Sequence, residues 1–224
     1  MASMSREYGQ YCGLARALEI VGARWTLLIL RDLMVGPKRF SELQEGLPGI
    51  PSNILSARLR ELEEGEIVRR TLLSRPAGGV AYELTPYGHE LEDPLIRLGM
   101  WGAKSLGPPT ADQFFNTSAL SIALRGGFHP EKARDDKALF ELRLNGRRLY
   151  VSVEDGTASF ATESDSKPDA IIECPPEVLA ELLAGSTTID EAVALERLRV
   201  TGSRRAARRF FDIFRLPSPA QMDA

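Results

Sequence analysis

The sequence predicts an α+β fold in two domains, and three observations support that prediction. Apolar residues recur mostly at helical spacing before residue 107, and alternating strand-like stretches dominate after residue 110. In the second half most strands precede the helices, which is typical of helices on one face of an antiparallel sheet. Between the halves lies Gly107-Pro108-Pro109-Thr110, where adjacent prolines cannot continue a helix. We therefore place the domains at residues 1–108 and 113–217.

Composition excludes several classes of protein. The 224-residue chain is 43% hydrophobic and 26% charged, as expected of a globular protein. It has neither an apolar run near the ~18 residues of a membrane helix nor a signal-peptide pattern, so we expect a cytoplasmic protein without membrane contact. Cys12, Cys174, His89 and His129 lie far apart, which predicts no disulfide framework, no metal site and no cofactor.

The charge distribution remains compatible with DNA binding. The net charge is −3, and residues 1–110 hold 13 Lys+Arg and 13 Asp+Glu, so the acidic excess lies in the second half. A neutral N-terminal half can still bind DNA if its basic groups gather on one face.

Four helices are predicted at the start of the first domain, over residues 13–21, 24–35, 41–46 and 51–64. The second has a predicted buried stripe of Trp25, Leu28, Ile29 and Leu33. The fourth begins at Pro51, a first-turn position where the missing N–H costs nothing. Its inner stripe at i, i+4 and i+7 consists of Leu55, Leu59 and Leu62.

Two strands and a last helix complete the first domain. The strands are predicted at Ile67–Leu73 and Val80–Leu84, around a Gly/Pro-rich turn. The helix starts at Thr85-Pro86, which suits a cap and a first-turn proline, and runs towards Leu106 with a kink at Pro94. Helix, Gly/Pro turn, helix and hairpin is the order of a winged helix-turn-helix, which places one helix in the DNA major groove and a β-ribbon beside it.

The outer face of the fourth helix carries the predicted base contacts. At 100° per residue, Asn53, Ser56 and Arg60 point away from the leucine stripe, and Asn and Arg suit adenine and guanine edges. Neighbouring basic residues suit phosphate contacts, which position a protein without selecting a sequence. The full predicted set for double-stranded DNA is Lys38, Arg39, Ser52, Asn53, Ser56, Arg58, Arg60 and Arg75. Taken alone, each arginine is equally consistent with solvated surface.

Residues 11–102 resemble the HxlR-type winged-helix transcriptional regulators. Three strings in order carry the resemblance: ALEIVGARWTLLILRDLMVGPKRFSELQEGLPGI, LSARLRELEEGEIVRR and YELTPYGHEL. The resemblance implies a homodimer built largely from the terminal helices. The residues assigned either to that dimer surface or to intramolecular core are Leu14, Leu18, Leu98 and Trp101.

Three positions of this region need separate treatment. Pro51 stands where family members usually begin the recognition helix with Ser, so the helix cap must come from elsewhere. The hairpin turn from Pro76 to Tyr82 has more glycine and less charge than the family pattern, which predicts weaker contacts there. Cys12, ahead of the first helix, is either a redox or electrophile sensor, as the resemblance implies, or a half-buried residue at the dimer contact.

The second domain shows alternating strands followed by helices. Strands are predicted around Leu120–Leu124 and over 138–144, 149–153, 157–162, 170–174 and 199–201, with helices over 176–183, 189–195 and 204–214. In the strand 138–144 the even positions are expected to face inward, and Glu141 and Arg143 outward. Asn145-Gly146 predicts the hairpin turn that follows. We find no nucleophile elbow, paired His and acid, or phosphate-binding loop in this domain.

Residues 119–215 resemble the sterol-carrier-protein type of lipid-binding domain. The strings FELRLNGRRLYVSVEDG, PDAIIECPPEVLAELLAG, TTIDEAVALERLRVTG and RRAARRFFDIF carry the resemblance, which implies an apolar tunnel under a sheet covered by helices. The residues that either line this tunnel or simply pack the core are Phe140, Leu142, Val151, Ile172, Leu179, Leu183, Phe210, Phe211 and Phe214.

Three functions follow from this domain pairing. The first is a transcription factor whose second domain senses a small apolar ligand. The second is a DNA-binding regulator whose second domain is only a dimerisation or scaffolding module. The third is an enzyme or lipid carrier with a vestigial DNA-binding domain, which the polar set Asn53, Ser56 and Arg60 argues against.

Overall fold

The computed structural model describes residues 7–73, 78–105 and 116–216. The chain forms two compact units that divide between Leu95 and Ile96. The expected linker at residues 107–110 lies outside the described residues, so the boundary at residue 108 stays a prediction.

The N-terminal unit consists of helices and a two-stranded hairpin. Its helices are α1 Gly13–Val21, α2 Thr26–Leu33, α3 Phe40–Gly46, α4 Ser52–Glu64, α5 Pro86–His89 and α6 Glu92–Ala103, and its strands are β1 Val68–Leu72 and β2 Val80–Leu84. Helix α6 extends across the division between the two units. The strands pair antiparallel. Backbone hydrogen bonds between Lys38 and Tyr82, at 2.9 and 2.8 Å, extend the hairpin by one further bridge.

The core of this unit confirms the leucine stripe of α4, since Leu55, Leu59 and Leu62 are all buried. The stripe predicted for α2 is partly wrong. Leu28 is 41% exposed, because the buried positions of α2 start from Thr26 and recur at i+3, i+4 and i+7, which leaves Leu28 on another face. Trp25 precedes the helix with a left-handed φ of 79° and is only half-buried.

The helix predicted from Thr85 to Leu106 is two helices. The Thr85 hydroxyl caps α5 as expected by accepting a hydrogen bond from the Gly88 N–H at 3.0 Å. The chain breaks before Glu92, and Pro94 lies in the first turn of α6, where a proline does not kink a helix. Gly88 lies against the backbone of Ile67, and a Cβ there would come within 2.2 Å of its carbonyl oxygen.

The C-terminal unit is a five-stranded sheet with helices. Its elements are α7 Thr117–Gly126, β3 Lys137–Leu144, β4 Arg147–Glu154, β5 Thr157–Ala161, β6 Ala170–Glu173, α8 Pro176–Ala184, α9 Ile189–Ala194, β7 Arg199–Gly202 and α10 Arg204–Ile213. The strand order is β5-β4-β3-β6-β7, with only β3 and β6 parallel. Asn145 and Gly146 both have positive φ at the β3–β4 turn, as the predicted tight hairpin requires.

Two predictions for this unit are wrong. The segment around Leu120–Leu124 is helix α7, because Asn116 caps it through its side-chain oxygen, which accepts hydrogen bonds from the N–H groups of Ser118 and Ala119. Glu141 was expected to face solvent but is 3% exposed. The guanidinium of Arg143 donates two hydrogen bonds to its carboxylate, at 2.7 and 3.2 Å, and this pairing satisfies the buried charge.

Candidate nucleic-acid interface

One side of α4 presents an exposed polar stripe. Ser52, Ser56 and Arg60 follow one another at i, i+4 and i+8, and Asn53 adjoins them; all four are exposed. The leucines of the same helix are buried in the core, and this anchoring fixes which side of α4 is exposed. The stripe therefore offers hydroxyl, amide and guanidinium groups, the groups that hydrogen-bond base edges.

The start of α4 has no side-chain cap. Pro51 is the N-cap residue, and its carbonyl accepts the hydrogen bonds of Ile54 and Leu55 at 3.0 Å. Since the Pro51 side chain has no acceptor, first-turn N–H groups are left without a side-chain cap. Such groups, with the positive end of the helix dipole, favour a phosphate oxygen.

The acidic residues of α4 are held in ion pairs. Glu63 lies 3.0 Å from Arg70 of β1, and Glu61 binds Arg58 within the helix. Glu64 lies 3.9 Å from Arg60, with both side chains about 70% exposed. A surface pair of this kind is weak, so Arg60 can exchange Glu64 for another acceptor at little cost. Negative charge near the stripe is thereby reduced.

Arg58 has a different environment from the rest of the predicted set. Its side chain is 23% exposed, and its Nε atom is buried without a hydrogen-bond partner. Arg58 also lines a cleft of about 370 Å³ beside the start of α4. The structure therefore places Arg58 on the flank of the helix.

The basic residues around the hairpin are engaged within the unit. A guanidinium nitrogen of Arg39 donates a hydrogen bond to the Gly78 carbonyl, which ties the start of α3 to the hairpin. Arg69 pairs with Glu83 across the hairpin at 2.8 Å, and Arg70 pairs with Glu63. Lys38 is half-buried at the β2 bridge. Arg75, predicted at the hairpin tip, lies outside the described residues.

Sequence reasoning missed Arg24. Its guanidinium lies 5.0 Å from the centre of the Trp25 ring, and both residues line the 370 Å³ cleft with Pro51 and Arg58. The apolar spacing predicts Trp25 on the buried stripe of a helix. Its left-handed backbone instead puts it outside the helix, so its contact with Arg24 was not predicted. An exposed cation is thus fixed next to the first turn of α4.

The two cysteines differ in accessibility. Cys12 is exposed, whereas Cys174 is buried, and burial raises the pKa of the Cys174 thiol to about 12. Because the thiolate is the reactive form, we expect iodoacetamide at pH 8 to modify Cys12 at least about 100-fold faster than Cys174. Peptide mass spectrometry measures both rates, and a Cys12→Ser variant is the control. Equal rates would contradict this assignment.

The described part of the chain shows neither a metal-binding cluster nor a membrane-spanning helix. Among residues 7–73, 78–105 and 116–216, no cluster of three or more His, Cys, Asp or Glu side chains could hold a metal ion. Over the same residues, no helix has the length and apolarity needed to cross a membrane.

The residues predicted to hold an apolar ligand lie together in the C-terminal core, and all nine are buried. The ring centre of Phe210 lies 5.1 Å from that of Phe140 and 4.6 Å from that of Phe214. Their side chains therefore contact one another directly, and a ligand role for them stays a prediction.

The α3–α4 pair and the β1–β2 hairpin define a winged helix-turn-helix domain, the class of protein that binds DNA through an exposed helix. Comparison with family models agrees: the HxlR-like helix-turn-helix model matches residues 20–109, and the SCP-2 sterol transfer family model matches residues 130–215.

Several relatives are transcriptional regulators. The chain is 38% identical over 97 residues to the uncharacterized HTH-type regulator YtcD of Bacillus subtilis, covering 43% of this chain and 77% of that protein. It is 40% identical over 98 residues to YodB of the same organism, covering 44% and 80%. The solved structure of HypR, described as a redox regulator, in its oxidized form is 30% identical with a TM-score of 0.40, covering 43% of this chain and 99% of that one. The chain belongs to the HxlR-like helix-turn-helix family and is a transcriptional regulator with a C-terminal SCP-2 domain.

Proposed function

We propose that the chain binds DNA as a homodimer and that its C-terminal domain senses a small apolar ligand. The observation that carries the proposal is the exposed polar stripe of α4, opposite a fully buried leucine stripe. We propose no catalytic reaction for the chain and expect it to act on DNA in the cytoplasm.

In the proposed complex, α4 lies in the major groove and the β1–β2 hairpin lies along the adjacent backbone. Asn53, Ser56 and Arg60 contact base edges, whereas the N–H groups of the first turn contact a phosphate. Lys38, Arg39, Arg75 and the newly recognised Arg24 supply further phosphate contacts. Lys38, Arg39 and Arg58 contribute less, since all three are half-buried, and Arg39 and Arg58 are already bound to Gly78 and Glu61.

The dimer surface is proposed on α1 and α6. Leu14 and Leu18 form an exposed i, i+4 stripe on α1, and Leu98 and Trp101 form an i, i+3 stripe on α6. Trp101 is 70% exposed and Leu14 is 68% exposed. Exposed apolar stripes of this kind mark interaction surfaces, and their exposure argues against the alternative that these side chains form intramolecular core.

Replacing Leu98 and Trp101 together with Glu is expected to convert a dimer into a monomer, because four charges would then have to be buried across the interface. Light scattering coupled to size-exclusion chromatography measures the mass. Leu195→Glu is the control, since Leu195 is comparably exposed but lies after α9. A monomeric wild-type chain, or a double variant that remains dimeric, would contradict this surface.

Ligand sensing requires the core to open. The nine apolar residues are buried and several rings touch, so a bound molecule must displace part of this packing. A ligand changes DNA affinity only if it binds the DNA-competent and DNA-incompetent states differently. We expect the two states to differ in the packing around Phe210.

To test ligand sensing, DNA fragments that the full chain binds are first selected from the source genome, and these fragments identify the operator. Their affinity is then measured while long-chain fatty acids and sterols are titrated. A shift in operator affinity at ligand saturation supports sensing, whereas saturation by a ligand without any shift contradicts it.

The second candidate, a scaffolding C-terminal domain, is favoured by the same close ring contacts, because a filled core needs no ligand. Native mass spectrometry of mildly purified protein distinguishes the candidates. A co-purified apolar molecule supports sensing, and a measured mass equal to that of the protein alone supports scaffolding.

A further inference from the structure

A row of charged residues crosses four strands of the C-terminal sheet. Arg148 of β4 lies opposite Arg143 of β3, Arg143 is aligned with Glu173 of β6, and Glu173 lies opposite Arg199 of β7. Directly paired residues of adjacent strands project from the same face of a sheet. Three arginines and one glutamate therefore stand side by side.

These residues line a cleft of about 650 Å³ at the β3–β4 turn, and the same lining includes Arg147, Arg197 and Glu196. In total five arginines and two glutamates line it. Like charges directly opposite one another on adjacent strands are destabilising, so the Arg148–Arg143 pair needs negative charge nearby, from a protein carboxylate or from a bound anion.

Protein carboxylates compensate only some of these arginines. Arg143 is bound by the buried Glu141, and Arg197 makes two hydrogen bonds to Glu181 at 2.8 and 2.9 Å. Arg148 and Arg199 have no hydrogen-bond or ion-pair partner among the residues that the structure describes, and both are exposed. Their guanidinium groups are thus available to a ligand.

We infer that this cleft binds a small-molecule anion through a phosphate or carboxylate group, with Arg148 and Arg199 as donors and Arg143 held in place between them by Glu141. Arginine is suited to both groups because its planar donors form paired hydrogen bonds to their oxygens. The volume of about 650 Å³ suits a small-molecule ligand, and an anion bound there must lie nearer the arginines than Glu173 and Glu196, which also line the cleft.

The site is separate from the apolar core. Successive residues of a strand point to opposite faces of the sheet, so Arg143 projects away from the face that carries Leu142 and Phe140. The inference therefore does not depend on apolar-ligand sensing by the core.

Calorimetric titration of the full chain with inorganic phosphate, octyl phosphate and octanoate tests the site. We expect saturable binding of at least one probe, with one site per chain. Equal affinities for the two phosphates identify a free anion, and tighter binding of octyl phosphate or octanoate identifies the head group of an amphiphile. Each of these outcomes supports the inference where the cleft variant described next weakens the binding. Binding of an alkyl probe that this variant leaves unchanged would belong to the apolar core and would contradict the inference.

The Arg148→Ala, Arg199→Ala double variant is expected to bind at least about tenfold more weakly, because each charge-assisted hydrogen bond carries about that factor. The matched control is Arg204→Ala, Arg205→Ala on α10, which removes two exposed arginines outside the cleft. Circular dichroism confirms that both variants fold. The inference is overturned if no probe saturates, if both double variants lose affinity equally, or if the cleft variant loses only DNA affinity.

Discussion

Replacing Asn53 and Arg60 together with Ala is expected to weaken operator binding by at least about 30-fold. Each base contact from such a side chain carries about 1–3 kcal/mol, so losing both removes at least about 2 kcal/mol. Both residues are exposed on α4, so their removal leaves the core of the domain intact. Fluorescence anisotropy with a genomically selected fragment, at one fixed salt concentration, measures the loss.

The matched control is Glu64→Gln on the same helix. It removes the weak pair at 3.9 Å from Arg60 while retaining Arg60 itself, so operator affinity should stay constant or rise. The double variant should also bind unrelated DNA almost as well as the wild type, because phosphate contacts are retained. Unchanged operator affinity in the double variant would mean that this side of α4 does not face the bases.

The charge distribution of α4 supports the proposed DNA contact at its start. All three glutamates near its end are engaged by arginines of α4 or β1, whereas the first turn has neither acidic residues nor a side-chain cap. The electrostatic potential therefore becomes more favourable to phosphate towards the start of the helix. We therefore propose that the first turn of α4 lies nearest a phosphate, with Asn53, Ser56 and Arg60 following it along the groove.

Much of the fold could be predicted from local patterns. The burial of Leu55, Leu59 and Leu62 follows from their spacing, and the β3–β4 hairpin follows from alternation around Asn145-Gly146. These signals are intrinsic to a few consecutive residues. They succeed where one face of an element is buried and the other is exposed.

Other features depend on residues outside the apolar pattern of the element itself. Leu120, Ile122 and Leu124 fit an alternating strand, but the i, i+4 pair Leu120 and Leu124 also fits a helix, and the Asn116 cap decides between them. The pairing of Arg39 with Gly78 and of Arg70 with Glu63 joins separate elements. Such partners are set by tertiary packing, which is why the environment of Arg39 could not be derived from the sequence.

Phe210→Ala is expected to lower the free energy of unfolding of the C-terminal unit by about 3–5 kcal/mol, the usual cost of deleting a buried aromatic ring. Phe210 is fully buried, and its ring centre lies within 5.2 Å of those of Phe140, Phe211 and Phe214. Hydrogen exchange of β3 and β4 peptides measures the opening of this unit separately from the DNA-binding unit.

The size of this loss also distinguishes the two roles of the core. Leu195→Ala is the control, since Leu195 is 66% exposed and should change stability by no more than about 0.5 kcal/mol. A loss of several kcal/mol in Phe210→Ala means that the ring stabilises a core that is complete without a ligand, so sensing must work against that packing. A loss of unfolding free energy below about 1 kcal/mol would mean that the side chains around the ring can rearrange to accommodate a ligand. The apolar-ligand proposal would then gain support, because opening the core would cost little.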